Sequence, residues 1–355
     1  MSDVRDMLEA TVARVFTDGV SPERIVEAER GGWLGALWDA TESNGLVAAH
    51  LSEESGGAGA TWQEAAIVAR ASGRHAVPLP IAETMLGGWL LERAGLAVPP
   101  GPLTIAPLPL PADAFGDPTL SVRLPRVPWG RHAKHVVVTA PADRGIRIAI
   151  APTGTVVALG YDLALEPRDD LALDAAPITV GDAGLPADVV TLYGAMLRSQ
   201  QMAGALEAIL DLSVQYANER VQFGRPIGQF QAIQQELARL AGVVAEAGVA
   251  ASAAARAASD ASHPVIGLVG APGDPTFEIA AAKVVVGDAA ELGPRIAHQV
   301  HGAIGFTYEH RLHFFTRRLW AWRAEFGTAE VWAERLGTPV LAAGADAIWS
   351  LVTAR

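Results

Sequence analysis

Cysteine is absent from this chain of 355 residues, which excludes disulfide bridges, cysteine-ligated zinc and thiol catalysis. Lysine is rare as well, since only Lys134 and Lys283 occur. The 39 acidic residues outnumber the 27 Lys and Arg residues, and the formal net charge is −12. An excess of negative charge disfavours binding to phosphate backbones and to anionic membrane surfaces. We therefore expect neither nucleic acid nor a membrane as a partner.

Long apolar runs are also missing. The alanine-rich region near residue 250 is interrupted by Glu246 and Arg256, so we expect no stretch with the roughly 20 apolar residues of a membrane-spanning helix. The opening residues, MSDVRDMLEATVARVF, carry charges throughout, unlike a secretory signal. With 50% hydrophobic residues the chain can still bury a large core. These features predict a cytoplasmic protein.

The residue composition and its periodicity change twice along the chain. Residues 1–97 read as helices, and SPERIVEAERGGWLGALWDATESNG reads as one helix with Ser21 as its cap and Pro22 in its first turn. Residues 98–185 are rich in proline and in short β-branched runs such as HVVVTA, which indicate strands. Residues 186–355 return to long amphipathic helices. The predicted fold class is α+β: an N-terminal helical domain, a middle β domain and a C-terminal antiparallel four-helix-type bundle.

One helix of the C-terminal region is interrupted in ANERVQFGRPIGQFQAIQQELARL, residues 217–240. Strong helix formers lead up to Arg220, and a glycine-containing break at 224–228 follows before Phe230 and Gln231 restart the helix. A guanidinium here can hold a phosphate in a fork of donors. It can equally be an exposed cation near a helix C-terminus, where the helix dipole favours it. Both interpretations are open on these residues alone.

A second group of residues follows in HQVHGAIGFTYEHRLHFFTRRLWAWRAEFGTAEV. Gly302 and Gly305 predict a tight turn at a helix end, where bare backbone can approach a pyrophosphate. The alternative is an ordinary glycine cap. His298 and His301 have a spacing that metal ligands also use, but no carboxylate cluster accompanies them, so we predict no metal site.

Taken together, these segments resemble the acyl-CoA dehydrogenase family. ERVQFGRPIGQFQAIQ is similar to its Arg-x-x-Phe-Gly segment with the Phe/His-Gln pair that follows, and QVHGAIGFTYEHRLHFFTRR to its Gln-x-x-Gly-Gly-x-Gly-Phe segment. EFGTAEV stands where the family has Glu-Gly-Thr-x-x-Ile, and LSEESGGAGATWQEAAIVA resembles its Pro-Glu-Glu-x-Gly-Gly loop. The order and spacing of these segments agree along the whole chain.

The resemblance implies FAD as the cofactor, shared with a partner subunit. In the family these motifs reach across a subunit interface and hold the pyrophosphate and adenosine of the FAD bound by the neighbour. Ala303 stands where the family usually has its second glycine. Transferred residue by residue, the implied cofactor contacts are Arg220, Gln222, Phe223, Phe230, Gln231, Gln299, Gly302 and Ala303.

The chain departs from the family at the catalytic base. The family reaction needs a glutamate that takes the α-proton of an acyl-CoA thioester. Phe326 occupies the usual position of this glutamate, and Glu325 lies one residue earlier. Gly194 occupies the position that a minority of members use. We therefore assign no catalytic residue to this chain, and Glu325 is the nearest acid.

The β region also lacks the family's Thr-Glu-Pro-x-x-Gly-Ser and Trp-x-Thr-Asn motifs, which line the flavin ring. This combination resembles the non-catalytic chains of heteromeric α2β2 acyl-CoA dehydrogenases, many of which act on steroid-derived acyl-CoA. The resemblance implies a catalytic partner subunit and, by analogy, an electron-transfer flavoprotein as acceptor. Two alternatives remain open: a self-sufficient homo-oligomeric dehydrogenase with Glu325 as a displaced base, and a non-enzymatic scaffold of the same fold.

Overall fold

The computed structural model describes residues 2–261 and 273–349. These residues form two compact units. The first comprises residues 2–68 and 78–194, and the second comprises residues 69–77, 195–261 and 273–349.

The part of the chain that precedes the strands, residues 2–93, is mainly helical. Ser21 caps the second helix, its Oγ accepting a hydrogen bond from the Arg24 N–H at 3.4 Å. The segment predicted as one helix is two, because Gly31 has a φ of +93° and a Cβ on Gly32 would lie 2.9 Å from the Glu27 carbonyl oxygen. The helices are α1 (Ser2–Gly19), α2 (Pro22–Glu29), α3 (Gly35–Ser43), α4 (Trp62–Arg74) and α5 (Ile81–Arg93).

A cluster of aromatic rings fills part of the first unit's core. Trp62, Trp89 and Tyr193 are buried, and their ring centroids lie 5.4, 5.1 and 4.5 Å apart. His50 lies 4.6 Å from the Trp62 ring and donates from Nε2 to the Met85 carbonyl at 3.1 Å. Burial lowers the pKa of His50 to about 4, so the ring is neutral at pH 7.

The middle region is a two-layer β sandwich. One sheet has the order β1-β3-β4-β7, in which only the β1-β3 pair is parallel, and the other is antiparallel with the order β2-β6-β5. Buried side chains of both sheets, such as Val138 and Leu171, share one hydrophobic core. The strands are β1 (Leu103–Ile105), β2 (Thr119–Pro128), β3 (His135–Ala142), β4 (Gly145–Pro152), β5 (Thr155–Ala158), β6 (Arg168–Pro177) and β7 (Thr179–Asp182).

Long helices return after the sandwich and form the second unit. Small residues allow them to approach closely: a Cβ on Gly293 would meet Leu206 of α6 at 2.7 Å and Leu240 of α7 at 3.6 Å. A Cβ on Gly287 would lie 3.1 Å from that of Ala329. The elements are α6 (Val189–Glu219), the hairpin β8 (Val221–Gln222) and β9 (Arg225–Pro226), α7 (Gln231–Asp260), α8 (Thr276–His301), α9 (Leu312–Trp322) and α10 (Ala329–Ala343).

One of these helices qualifies as a membrane span by length and composition. The window of α7 that passes has a mean hydropathy of 1.4. Glu246 and Arg256 therefore do not interrupt the apolar character of this helix enough to exclude a membrane-spanning length, and the expectation that no such stretch exists was wrong. Core helices of soluble proteins meet the same criterion, but they are mostly buried, whereas 33% of this window is buried, including Leu240, Val244 and a row of alanines.

Candidate cofactor-binding site

The first half of the site is an arm, residues 220–230, which connects the end of α6 to the start of α7. The Arg220 N–H donates to the Tyr216 carbonyl at 2.8 Å, and the Arg220 carbonyl accepts from the Ile227 N–H at 2.8 Å. Between these two bonds the chain reverses in the β8-β9 hairpin. Phe223 and Gly224 have φ values of +50° and +80° at its tip, which explains why glycine is needed there. The Phe223 side chain is 92% exposed, so the arm projects from the unit.

Aromatic contacts shape the arm before α7 begins. Phe230 is the residue that precedes α7, and its ring makes an edge-to-face contact with Phe223 at 6.1 Å. The Arg225 guanidinium lies over the Phe230 ring, 4.2 Å from its centroid. Gln231 is the first residue of α7 and is exposed. The break predicted at 224–228 is thus a hairpin and a short 3-10 turn, residues Ile227–Gln229.

The second half of the site is the turn at the end of α8. Gly302 follows the last helical residue with a φ of +63°, and a Cβ placed on it would meet nothing within 4 Å. A Cβ on Gly305 would lie 3.0 Å from that of His301, so any larger residue at this position would force a neighbouring side chain to shift. The tight turn predicted from Gly302 and Gly305 is confirmed. Its backbone faces open space at Gly302, where a ligand can approach.

Both halves line a single pocket of about 630 Å³. Seven of the eight residues implied by the family resemblance lie in its wall, whereas Gln231 does not. The remaining wall residues were not assigned to the cofactor from the sequence: Tyr216, Ile227, Ile233, Val300, His301 and Ile304. Tyr216 could have been found one helical turn before Arg220, and His301 directly before Gly302. That these residues bind FAD stays a prediction.

The donors in this wall suit an anionic ligand. Arg220 is exposed, and its guanidinium forms no ion pair with any residue in the described part of the chain. Gln222 and Gln299 are exposed amides at the same pocket, and Gly302 offers bare backbone. A guanidinium with amide donors matches a pyrophosphate, and the neighbouring isoleucines offer apolar surface to a base ring. The residues therefore fit the nucleotide part of FAD.

Glu325, the acid nearest to the family's base position, is paired inside the bundle. Its Oε2 accepts from the Arg198 Nε at 2.6 Å, although the two residues are 127 positions apart. Arg198 is only 2% exposed and also donates to the Gln201 amide oxygen. Its guanidinium lies 5.5 Å from the centre of the Trp322 ring. The Glu325 carboxylate therefore belongs to a buried polar network.

Lys283 completes this network from α8. Its ammonium donates to the carbonyls of Trp322 at 3.4 Å and Arg323 at 2.9 Å, at the end of α9. Burial lowers the pKa of Lys283 to about 8, and the negative charge of Glu325 opposes that shift. The turn after α9 is thus fixed by one lysine and by the Arg198–Glu325 pair.

Neither of the two residues at the base positions implied by the family resemblance, Phe326 and Gly194, is an acid. Phe326 is half-buried with a φ of +54°, and its carbonyl accepts from the Trp332 Nε1 at 2.9 Å. Gly194 is buried within α6. Among the described residues, no group of three or more His, Asp or Glu side chains is arranged to hold a metal ion.

Two family models match the sequence: "Acyl-CoA dehydrogenase, N-terminal domain" over residues 2–97 and "Acyl-CoA dehydrogenase, C-terminal domain" over residues 191–341. The acyl-CoA dehydrogenase IpdE2 of Mycobacterium tuberculosis (strain ATCC 25618 / H37Rv) is 32% identical over 321 residues, which is 88% of this chain and 90% of that protein. These matches extend over both helical regions of the chain.

Solved structures agree with the fold described above. A variant of the Tcur3481-Tcur3483 steroid ACAD has a TM-score of 0.82 at 22% identity, covering 96% of this chain and 99% of that chain. The ChsE4-ChsE5 complex from Mycobacterium tuberculosis has a TM-score of 0.80 at 21% identity, covering 97% and 99%. The predicted α+β fold class, helical then β then helical, is confirmed. The chain belongs to the acyl-CoA dehydrogenase family.

Proposed function

We propose that this chain is a subunit of an FAD-dependent acyl-CoA dehydrogenase that completes the flavin site of an unlike partner and supplies no catalytic base. One observation carries the proposal. The residues implied to hold a neighbour's cofactor line one pocket, while both family base positions hold residues without a carboxylate.

The pocket supports the cofactor half of the proposal. Arg220, which forms no ion pair among the residues that the structure describes, places a cation at the pocket wall, and Gln299 and Gly302 lie at the C-terminal end of α8. Together they would hold the pyrophosphate through charge-assisted and amide hydrogen bonds. Phe223 is exposed at the tip of the arm, where it would meet the adenosine or the neighbouring subunit. An arm that projects from its own unit suits a ligand shared with another chain.

The polar network supports the second half of the proposal. A general base must reach the α-carbon of the substrate and must be able to take up a proton. Glu325 instead accepts a hydrogen bond from Arg198, and the positive charge of Lys283 also acts on it. Nearby cations stabilise the charged form of a carboxylate and so make it a poorer proton acceptor. We therefore assign Glu325 a structural role and leave the α-proton to a glutamate of the partner.

When bound, the flavin would accept the β-hydrogen of the acyl thioester as hydride. The residues of this chain would bind and orient the nucleotide end of that cofactor, and they would exchange no proton with the substrate. An electron-transfer flavoprotein is the electron acceptor that we propose by analogy with the family.

Two structural relatives support an unlike partner. The ChsE4-ChsE5 complex and the Tcur3481-Tcur3483 steroid ACAD are each named for two proteins. By analogy we propose an α2β2 assembly and a CoA thioester of a steroid-derived acyl group as substrate. The missing flavin-ring motifs in residues 98–185 agree with an assembly in which only the partner's β domain holds the ring.

Flavin stoichiometry tests the proposal. The chain is purified alone and after co-expression with a family member that has an intact Glu-Gly-Thr segment, and flavin absorbance is compared with protein concentration. We expect one FAD for each unlike pair, two for each α2β2 tetramer, and little or no FAD on this chain alone. One FAD for each chain, or stable FAD in a homo-oligomer of this chain, would refute the partner-subunit proposal.

A further inference from the structure

Two aromatic rings connect the halves of the pocket. Tyr216 of α6 and His301 of α8 are stacked, with ring centroids 4.6 Å apart and an angle of 20° between the planes. Both residues line the pocket wall. The arm and the turn are otherwise separate segments of the chain, so this stack is a direct side-chain link between them.

Each ring is tied to the donors of its own half. Tyr216 lies one helical turn before Arg220, and its carbonyl accepts the Arg220 N–H at 2.8 Å. His301 directly precedes Gly302, and its Nδ1–H donates to the Ala297 carbonyl at 2.7 Å. The residue that carries each ring is therefore hydrogen-bonded or directly adjacent to the residue that presents a ligand donor.

A third ring supports the stack from the side. His310 lies 4.6 Å from His301 and makes an edge-to-face contact with Tyr216 at 6.0 Å. His301 is 3% exposed, so its ring has little freedom to leave the stack. Burial lowers the pKa of His301 and of His310. Both rings are thus mainly neutral at pH 7, which avoids repulsion between two imidazolium groups and between His310 and Arg311.

We propose that Tyr216 and His301 are positioning residues, whose stacking sets the spacing between Arg220 on the arm and Gln299 and Gly302 at the end of α8. The ligand class is a nucleoside diphosphate, the adenosine and pyrophosphate part of FAD. This inference rests on the proposed function, because it takes the pocket to be a cofactor site. It goes further by assigning the spacing of the ligand donors to two residues, Tyr216 and His301, that the family resemblance did not implicate.

The test measures binding of ADP to the full-length chain by saturation-transfer NMR, which requires no loaded enzyme and no partner. We expect weak saturable binding by the unchanged chain. Loss of an aromatic stack should raise the dissociation constant about twofold to tenfold in each of Tyr216→Ala and His301→Ala. Tyr216→Phe keeps the stack and should restore binding. The double variant should lose no more than either single variant, because both changes remove the same contact.

Tyr308→Ala is the matched control, since Tyr308 is an exposed aromatic residue on the same turn, packs 5.0 Å from His313, and does not line the pocket. Circular dichroism identifies the variants that fold, and His301→Leu, which fills the space without an aromatic ring, replaces His301→Ala if the latter does not. Unchanged ADP affinity in folded alanine variants, or fully additive losses in the double variant, would overturn the positioning role alone. Absence of saturable ADP binding by the unchanged chain would overturn the proposed cofactor site, and the positioning role with it.

Discussion

Replacing Glu325 with glutamine separates a catalytic role from a structural one, because the two roles predict losses in different measurements. The Arg198 Nε lies 2.6 Å from the Glu325 carboxylate, and Arg198 is 2% exposed while Glu325 is 22% exposed. Removing one partner of a fully buried pair costs about 3–5 kcal/mol of unfolding free energy. Here the amide oxygen of glutamine can still accept from Arg198, and Glu325 has some contact with water. We therefore expect Glu325→Gln to lower the free energy of unfolding by about 1–3 kcal/mol.

Activity should respond differently. If the partner supplies the base, the co-purified complex with Glu325→Gln should keep its turnover rate. If Glu325 were the base, turnover should fall by about 10²–10⁴-fold. The variant should also lower the pKa of Lys283 further below about 8, because the carboxylate charge that opposes the shift is gone.

Urea unfolding followed by tryptophan fluorescence measures the stability change, and Trp322 lies 5.5 Å from the Arg198 guanidinium as a local reporter. Turnover is measured on the same preparation with an acyl-CoA and an artificial electron acceptor. Glu334→Gln is the matched control, since Glu334 is exposed on α10 and should change neither quantity. A loss of turnover of 10²-fold or more, with FAD content and assembly intact, would show that this chain supplies the base.

Two further predictions concern affinity and pH. Arg220→Ala should reduce FAD affinity of the complex about tenfold to a hundredfold through loss of charge-assisted hydrogen bonds, and Arg220→Lys should restore it only partly; unchanged flavin content in the assembled alanine variant would contradict this. Because burial lowers the pKa of His50, the unfolded chain takes up a proton on this histidine at a higher pH than the folded chain does. The free energy of unfolding therefore decreases as the pH falls from about 6.5 to about 4. His50→Phe should reduce the acid-induced shift in urea midpoint between pH 7 and pH 5 by the equivalent of about 2 kcal/mol, and an identical shift in both proteins would contradict the assignment.

The parts of the fold that depend on local sequence could be predicted. Prolines and β-branched runs indicated the strands between the two helical regions, and the Ser21 cap is observed. The helix predicted over residues 21–45 was wrong in its middle, because Gly31 and Gly32 fold the chain back onto the end of α2. Two adjacent glycines permit a turn, but which of several glycines makes one depends on packing that the local sequence does not contain.

The site likewise contains residues that the motifs predict and residues that only the packing of helices brings together. Arg220 and Gly302 were predicted from motif order, and both line the pocket. Gln231 was predicted on the same basis, yet it is the first residue of α7 and lies outside the pocket wall. The stack of Tyr216 on His301 could not be predicted, since these residues are far apart in the sequence and meet only when α6 and α8 pack.

On the proposed function, the pairing of Arg198 with Glu325 explains how this turn can persist without a catalytic carboxylate at position 326. Phe326 and Gly327 both have positive φ values, and a Cβ on Gly327 would lie 2.8 Å from the Trp332 Nε1, so the backbone of this turn is tightly constrained. Lys283 and Trp332 each donate to its carbonyls, at Arg323 and Phe326. None of these contacts uses the side chain at position 326. The turn is therefore stabilised by the bundle independently of catalysis, and a carboxylate at that position can be lost without loss of the fold.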